Sequence, residues 1–155
     1  MSGEPYVAVV GPSMATADEI ARAEEVGRLL ATRRAVLVCG GLGGVMEAVS
    51  RGAANAGGTV LGILPGSDRG EANEHVTVAL ATGLGEMRNA LVVRAADALI
   101  AVGGAYGTLS EISLALRTGV PVVGVGTWEL DDVVDAPDPE AAVELALELA
   151  KEAGR

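Results

Sequence analysis

The chain has 155 residues, half of them hydrophobic, and a formal net charge of −10. This length and composition are typical of one globular domain, which we expect to span residues 1–155. Because Lys151 is the only lysine and there is no basic run, we do not expect nucleic acid or an anionic membrane surface as a partner. Cys39 has no second cysteine to pair with, and no apolar run reaches the ~20 residues of a membrane span. These features together predict a cytoplasmic protein.

Short apolar runs alternate along the chain with segments of helical periodicity. The apolar runs predict strands over 6–10, 35–39, 59–64, 76–80, 98–102 and 120–125. The segments around them predict one helix opened by a capping box of Thr16 and Glu19, two that end near Ala56 and Thr118, one over 86–96 and one over 138–153. Apolar strands that alternate with helices are typical of a parallel sheet covered on both faces. The sequence therefore predicts a single Rossmann-like three-layer α/β/α sandwich with a mainly parallel sheet.

Glycine-rich turns follow several of these strands, at 11–13, 40–44 and 103–108. In a parallel sheet such turns share one edge, where ligands bind. Glycine lets backbone N–H groups at a helix N-terminus approach an anion closely, although a single such turn is equally explained by tight packing of helix on strand. We therefore predict a site for a phosphate-bearing small molecule, most naturally a nucleotide. The residues predicted to bind it are Gly11, Ser13, Gly41, Gly43, Gly44, Gly103, Gly104, Tyr106, Gly107 and Thr108.

Common nucleotide fingerprints are absent from the two double-glycine turns, 40–44 and 103–108. A Walker loop requires a lysine in the turn, and a dinucleotide fingerprint would require glycine in place of Met46. ATP hydrolysis and NAD-dependent hydride transfer are therefore disfavoured. We also predict no metal site, because His75 has neither a second histidine nor a cysteine near it in the sequence.

The residues from Val102 to Glu111, V-G-G-A-Y-G-T-L-S-E, resemble the P-G-G-x-G-T-x-x-E signature of the "lonely guy" (LOG) family, whose members were long mislabelled as lysine decarboxylases. The turn at 40–46 resembles the family's G-G-G-x-x-G-x-M turn, and Arg88 lies where the family has the arginine of M-x-x-R-K. The resemblance covers nearly the whole chain. The chain departs from the signatures in having Val102 for proline, two residues rather than one between the later glycines, and Asn89 for lysine.

The LOG resemblance implies a nucleoside 5′-monophosphate phosphoribohydrolase, which hydrolyses an N-glycosidic bond to give a free base and ribose 5-phosphate with no cofactor. It implies that Glu111 is the catalytic carboxylate and Arg88 the catalytic arginine. From the residues alone, two simpler roles remain open. Thr108 and Glu111 have the spacing of a capping box, and Arg88 could be an ordinary solvated helix arginine. Tyr106 could stack on a base or only cover its turn.

The shortness of the chain favours a branch that is also similar to molybdenum-cofactor carrier proteins. The alternative function is therefore a non-catalytic binding or carrier protein for a nucleotide or a molybdopterin-like ligand. Lysine decarboxylation is disfavoured, because it normally needs a lysine Schiff base and Lys151 lies near the end of the chain. The resemblance also implies a homodimer or higher homo-oligomer with the crevice near the subunit interface.

Overall fold

The computed structural model describes residues 3–154, which form alternating strands and helices as the sequence predicts. Two 3₁₀ turns, Arg69–Glu71 and Gly85–Arg88, lie between the longer elements. Within the described residues there are seven strands: β1 (Tyr6–Val10), β2 (Val36–Cys39), β3 (Val60–Leu64), β4 (Val78–Ala81), β5 (Ala98–Val102), β6 (Val122–Val125) and β7 (Val134–Asp135). The α-helices of the same residues are α1 (Ala17–Thr32), α2 (Val45–Asn55), α3 (Asn89–Arg94), α4 (Tyr106–Arg117) and α5 (Pro139–Ala153).

The strands form one sheet in the order β4-β3-β2-β1-β5-β6-β7, and every pair is parallel. Helices α1, α2 and α5 pack on one face, and α3 and α4 pack on the other. Side chains of β1 alternate between the two cores: Val7 and Val9 pack with the first, Ala8 and Val10 with the second. This burial on both faces explains why the strands are continuous apolar runs. The predicted Rossmann-like three-layer fold is confirmed.

Two predicted helix starts have the expected capping geometry. Thr16 accepts a hydrogen bond from the backbone N–H of Glu19 at 3.1 Å, and Glu19 accepts one from the backbone N–H of Thr16 at 2.9 Å. At α5, Asp138 accepts from the backbone N–H of Ala141 at 2.8 Å, with Pro139 in the first turn. These contacts satisfy N–H groups that have no partner inside a helix.

The structure differs from the prediction in two elements. The helix expected over 86–96 is divided into the 3₁₀ turn Gly85–Arg88 and the short α3. Strand β7 was not predicted, because two residues between loops carry no periodic signal. Within residues 3–154, no helix is both long and apolar enough to cross a membrane.

Candidate functional site

A cavity of about 450 Å³ opens at the carboxyl edge of the sheet. Turns that follow strands β1, β2, β3 and β5 contribute to its wall, as does the segment around the start of α3. Ligands bind at this position in open parallel sheets, where the turns after neighbouring strands come together. The volume lies within the range of small-molecule pockets. The predicted location of the site thus coincides with a cavity that can hold a small ligand.

The N-terminus of α4 faces this cavity through Ala105, Gly107 and Thr108. The capping box proposed for Thr108 and Glu111 does not form, because α4 begins at Tyr106 with Ala105 as its N-cap and has no side-chain cap. Thr108 therefore lies inside the first turn, and its Oγ1 is buried without a hydrogen-bond partner in the described chain. A buried hydroxyl with no partner is unfavourable, so it is available to a bound ligand.

Glu111 follows Thr108 by nearly one helical turn and lines the same cavity. Burial raises the pKa of the Glu111 carboxyl to about 7, although the positive charge of Arg88 acts in the opposite direction. A carboxyl group with this pKa changes protonation state near neutral pH, as a general acid or base requires. Glu111 therefore has no capping role at α4, and its residue lines the cavity.

Arg88 ends the 3₁₀ turn before α3 and is only 9% exposed, so its interpretation as a solvated helix arginine is wrong. Its Nη1 donates to the carbonyl oxygen of Ile63 at 3.3 Å, whereas its Nε has no partner in the described chain. Burial lowers the pKa of Arg88, and the nearby Glu111 raises it. Gly40 makes room for this side chain, since a Cβ at that position would collide with Nη1.

The structure brings together six of the twelve predicted site residues along the cavity wall. These are Gly11, Ser13, Arg88, Gly107, Thr108 and Glu111. The remaining six lie in the same turns but do not line the cavity: Gly41, Gly43, Gly44, Gly103, Gly104 and Tyr106.

Packing explains the places of three of these glycines. Any Cβ on Gly44 would collide with the backbone of the β1–α1 turn, and one on Gly103 would collide with the carboxylate of Glu19. Gly104 packs against the indole of Trp128. Tyr106 is 84% exposed and stacks on the same indole, with ring centroids 6.1 Å apart.

Several lining residues were not predicted as site residues. Three of them lie in segments that resemble LOG motifs and could have been found in this way. Gly40 and Met46 belong to the glycine turn at 40–46, and Asn89 follows Arg88. Gly85 and Glu86 carried no signal, since a 3₁₀ turn between a strand and a helix has no distinct pattern. Besides Val9 and Val10 at the end of β1, the unpredicted lining residues are Pro12, Gly40, Leu42, Met46, Pro65, Gly85, Glu86, Asn89 and Ala105.

A Rossmann-like sheet with a glycine-turn cavity that contains an arginine and a carboxylate is the arrangement that the resemblance to the LOG family implies. The chain belongs to the SLOG cluster4 family, whose sequence model matches residues 4–152. The predicted family resemblance is therefore confirmed.

Two relatives illustrate the range of the superfamily. An uncharacterised protein of Archaeoglobus fulgidus is 42% identical over 119 residues, which cover 77% of this chain and 78% of the relative. A probable cytokinin riboside 5′-monophosphate phosphoribohydrolase of Oryza sativa subsp. japonica is 34% identical over 119 residues, covering 73% of this chain. The match extends over only 52% of the rice protein, so the chain spans about half of that relative's length.

Solved structures of molybdenum-cofactor proteins match over nearly their full length. The molybdenum cofactor binding protein of Rippkaea orientalis superposes with a TM-score of 0.91 at 35% identity, covering 96% of this chain and 99% of that one. The molybdenum cofactor carrier protein of Chlamydomonas reinhardtii has a TM-score of 0.87 at 31% identity, with the same coverage. The fold of the chain is thus that of these proteins.

Proposed function

We propose that the cavity binds a nucleoside 5′-monophosphate and hydrolyses its N-glycosidic bond. The observation that carries this proposal is that Arg88 and Glu111 line one cavity and form no ion pair with each other. A carboxylate weakens the binding of a phosphorylated ligand by repulsion. Its burial beside the predicted phosphate-binding turn is therefore better explained by chemistry than by affinity alone.

The phosphate is held at the N-terminus of α4 in this proposal. The first backbone N–H groups of a helix have no partner within it and carry partial positive charge. Gly107 presents no side chain to block their approach, and the free Oγ1 of Thr108 adds a hydroxyl donor. Ser13 lines the cavity from the turn after β1 and offers a second hydroxyl.

Glu111 acts on the ribose in this scheme. As the bond between C1′ and the base nitrogen breaks, its electron pair leaves with the base and positive charge develops on the ribose. An ionised Glu111 stabilises that charge and accepts a proton from the water that attacks C1′. The base nitrogen takes up a proton, which balances the reaction as base plus ribose 5-phosphate.

Arg88 supplies positive charge from the neighbouring wall. Its side chain lines the cavity and its Nη1 is fixed by the carbonyl of Ile63, so the rest of the guanidinium can donate to a phosphate oxygen or to the leaving base. Burial strengthens such an interaction, because less water competes for the charged group.

A second candidate function is carriage of a molybdopterin-like phosphorylated ligand without turnover. The near-complete coverage of the molybdenum-cofactor proteins favours it, whereas the match to the rice hydrolase covers only half of that protein. In that case Glu111 would accept hydrogen bonds from a heterocycle, and no bond would break.

Incubation of the purified protein with a panel of nucleoside 5′-monophosphates distinguishes the two functions. The hydrolase proposal predicts release of free base, detected by chromatography, from at least one nucleotide and not from the matching unphosphorylated nucleoside. Tight binding of a phosphorylated ligand with no free base from any nucleotide would overturn it in favour of the carrier function.

A further inference from the structure

We propose that Trp128 is a positioning residue that fixes the turn before α4 in the shape that meets the ligand phosphate. Trp128 belongs to the connection between β6 and β7, outside every motif that resembles the LOG family. It does not line the cavity. Its effect on the ligand is therefore exerted through the turn that it contacts.

Trp128 contacts three successive residues of the turn. Its indole Nε1 donates to the carbonyl oxygen of Ala105 at 3.1 Å. The indole also covers the Cα of Gly104, where an added Cβ would lie 3.1 Å from Nε1 and 3.2 Å from Cδ1. The ring stacks with that of Tyr106 at an interplanar angle of 29°. The turn is therefore held by a hydrogen bond, by close packing and by an aromatic stack.

The contact with Ala105 has a direct consequence for the cavity. Its carbonyl oxygen also accepts the first helical hydrogen bond of α4, from the N–H of Leu109 at 3.0 Å. Because a peptide unit is planar, holding this carbonyl also fixes the N–H of Tyr106 in the opposite direction. That N–H is one of the unpaired donors at the helix N-terminus. Trp128 thus preorganises one of the N–H donors that would hold the phosphate in the proposed function.

Amide hydrogen exchange tests this role without any ligand. In Trp128→Phe the ring stack is retained and the hydrogen bond to Ala105 is lost. We expect exchange in the segment 104–109 to accelerate about fivefold, the scale of one lost hydrogen bond, with other segments unchanged. Tyr6→Phe, an aromatic substitution at the start of β1, is the matched control and should leave the segment unchanged. Unaltered exchange at 104–109 in Trp128→Phe, or a change spread over the whole chain, would overturn the proposal.

The functional consequence rests on the proposed hydrolase activity and is measured separately. In Trp128→Phe we expect KM for the nucleotide to rise about fivefold while kcat stays within about twofold, because the lost contact orients bound phosphate and not the reacting carboxylate. An unchanged KM would overturn the link to the phosphate. Failure of the wild-type protein to release base would overturn the hydrolase proposal alone, since the exchange result stands without it.

The emission of Trp128 provides a measurement that needs no variant, since it is the only tryptophan in the chain. We expect adenosine 5′-monophosphate to change its acrylamide quenching, and adenosine to change it much less. Equal responses to the two probes would contradict a coupling of Trp128 to phosphate.

Discussion

Arg88 and Glu111 line the same cavity but form no ion pair with each other. The two arginine–glutamate ion pairs found among residues 3–154 lie elsewhere, and Arg88 donates instead to the carbonyl of Ile63. Each charged group is therefore desolvated without a direct partner, which raises the pKa of Glu111 and lowers that of Arg88. Such an arrangement is unfavourable in the free protein, and an anionic ligand beside Arg88 would relieve the part that belongs to the guanidinium.

Glu111→Gln should separate chemistry from folding. The substitution keeps the size of the side chain and removes its charge. Because Glu111 caps no helix, we expect a melting temperature at least equal to that of the wild type and retained nucleotide binding. If the carboxylate reacts, release of base should fall by a factor on the order of 10² or more. Thermal melting and the chromatographic assay provide both numbers.

Glu148→Gln, an exposed substitution on α5, is the control for loss of one negative charge. It should leave turnover and melting temperature unchanged. Turnover by Glu111→Gln within tenfold of the wild type would contradict a catalytic role.

The raised pKa of Glu111 predicts a pH dependence of both stability and activity. Between its ordinary value of 4.5 and about 7, the folded protein retains a proton that the unfolded chain has released. The contribution of Glu111 to stability therefore falls as pH rises through this window and is constant above it. Activity that needs the ionised carboxylate should rise over the same range, to half its plateau near pH 7.

Denaturant melts and kcat/KM from pH 4.5 to 8.5 check both trends. In Glu111→Gln, the free energy of unfolding should no longer show the part of its pH dependence that falls between pH 4.5 and about 7. Identical slopes for the two proteins would show that Glu111 titrates normally.

Gly40→Ala should disturb the site through Arg88. The added methyl group would collide with the guanidinium and lie 2.6 Å from the sulfur of Met46. We expect destabilisation by about 1–3 kcal/mol, the usual cost of overpacking, and weaker binding of adenosine 5′-monophosphate. Gly43→Ala is the structural control, because its Cβ would meet no atom within 4 Å. Equal stability of the two variants would show that Arg88 moves aside freely.

Thr108→Val should weaken ligand binding without loss of stability. The hydroxyl of Thr108 is buried and unpaired in the described structure, and valine has nearly the same shape. We expect the melting temperature to stay constant or rise, while affinity for phosphorylated ligands falls. Thr118→Val should instead lower the melting temperature. The hydroxyl of Thr118 donates to the carbonyl of Leu114 at 2.8 Å, and such a bond contributes about 1 kcal/mol. Calorimetric melting and titration with adenosine 5′-monophosphate measure both effects.

The expected homodimer is testable through an apolar surface that begins on β4. The side chains of Val78 and Leu80 are each about half exposed, at 52% and 50%, and Met87 is 75% exposed. Val78 and Leu80 lie two residues apart on one face of the edge strand β4, and exposed apolar patches are typical of interfaces. Light scattering at micromolar concentration should give a dimer, and Leu80→Glu should shift it toward monomer. Val134→Glu on β7, the opposite edge strand, should leave the dimer intact. A monomeric wild-type protein would refute the prediction.

The fold was largely predictable from the sequence, but the wall of the cavity was not. Continuous apolar runs and capping residues determine strands and helix starts locally, so those elements were predicted within a few residues. The contact of Gly40 with Arg88 depends on which turns meet at the sheet edge. A capping-box spacing at Thr108 was misleading, since the spacing alone does not show where a helix begins. Trp128 carried no signal, because its partners lie more than twenty residues earlier.

The uneven distribution of chemistry around the cavity bears on how this family diversifies. The polar groups proposed to act on a phosphorylated ligand lie on α4, at Arg88 and at Ser13, whereas Leu42, Met46 and Pro65 form an apolar part of the wall. Substitutions at Leu42 or Met46 would reshape the chamber without touching those polar groups. A lineage could therefore exchange one heterocycle for another through very few mutations. Ligand specificity in such proteins should therefore change faster in evolution than the fold does.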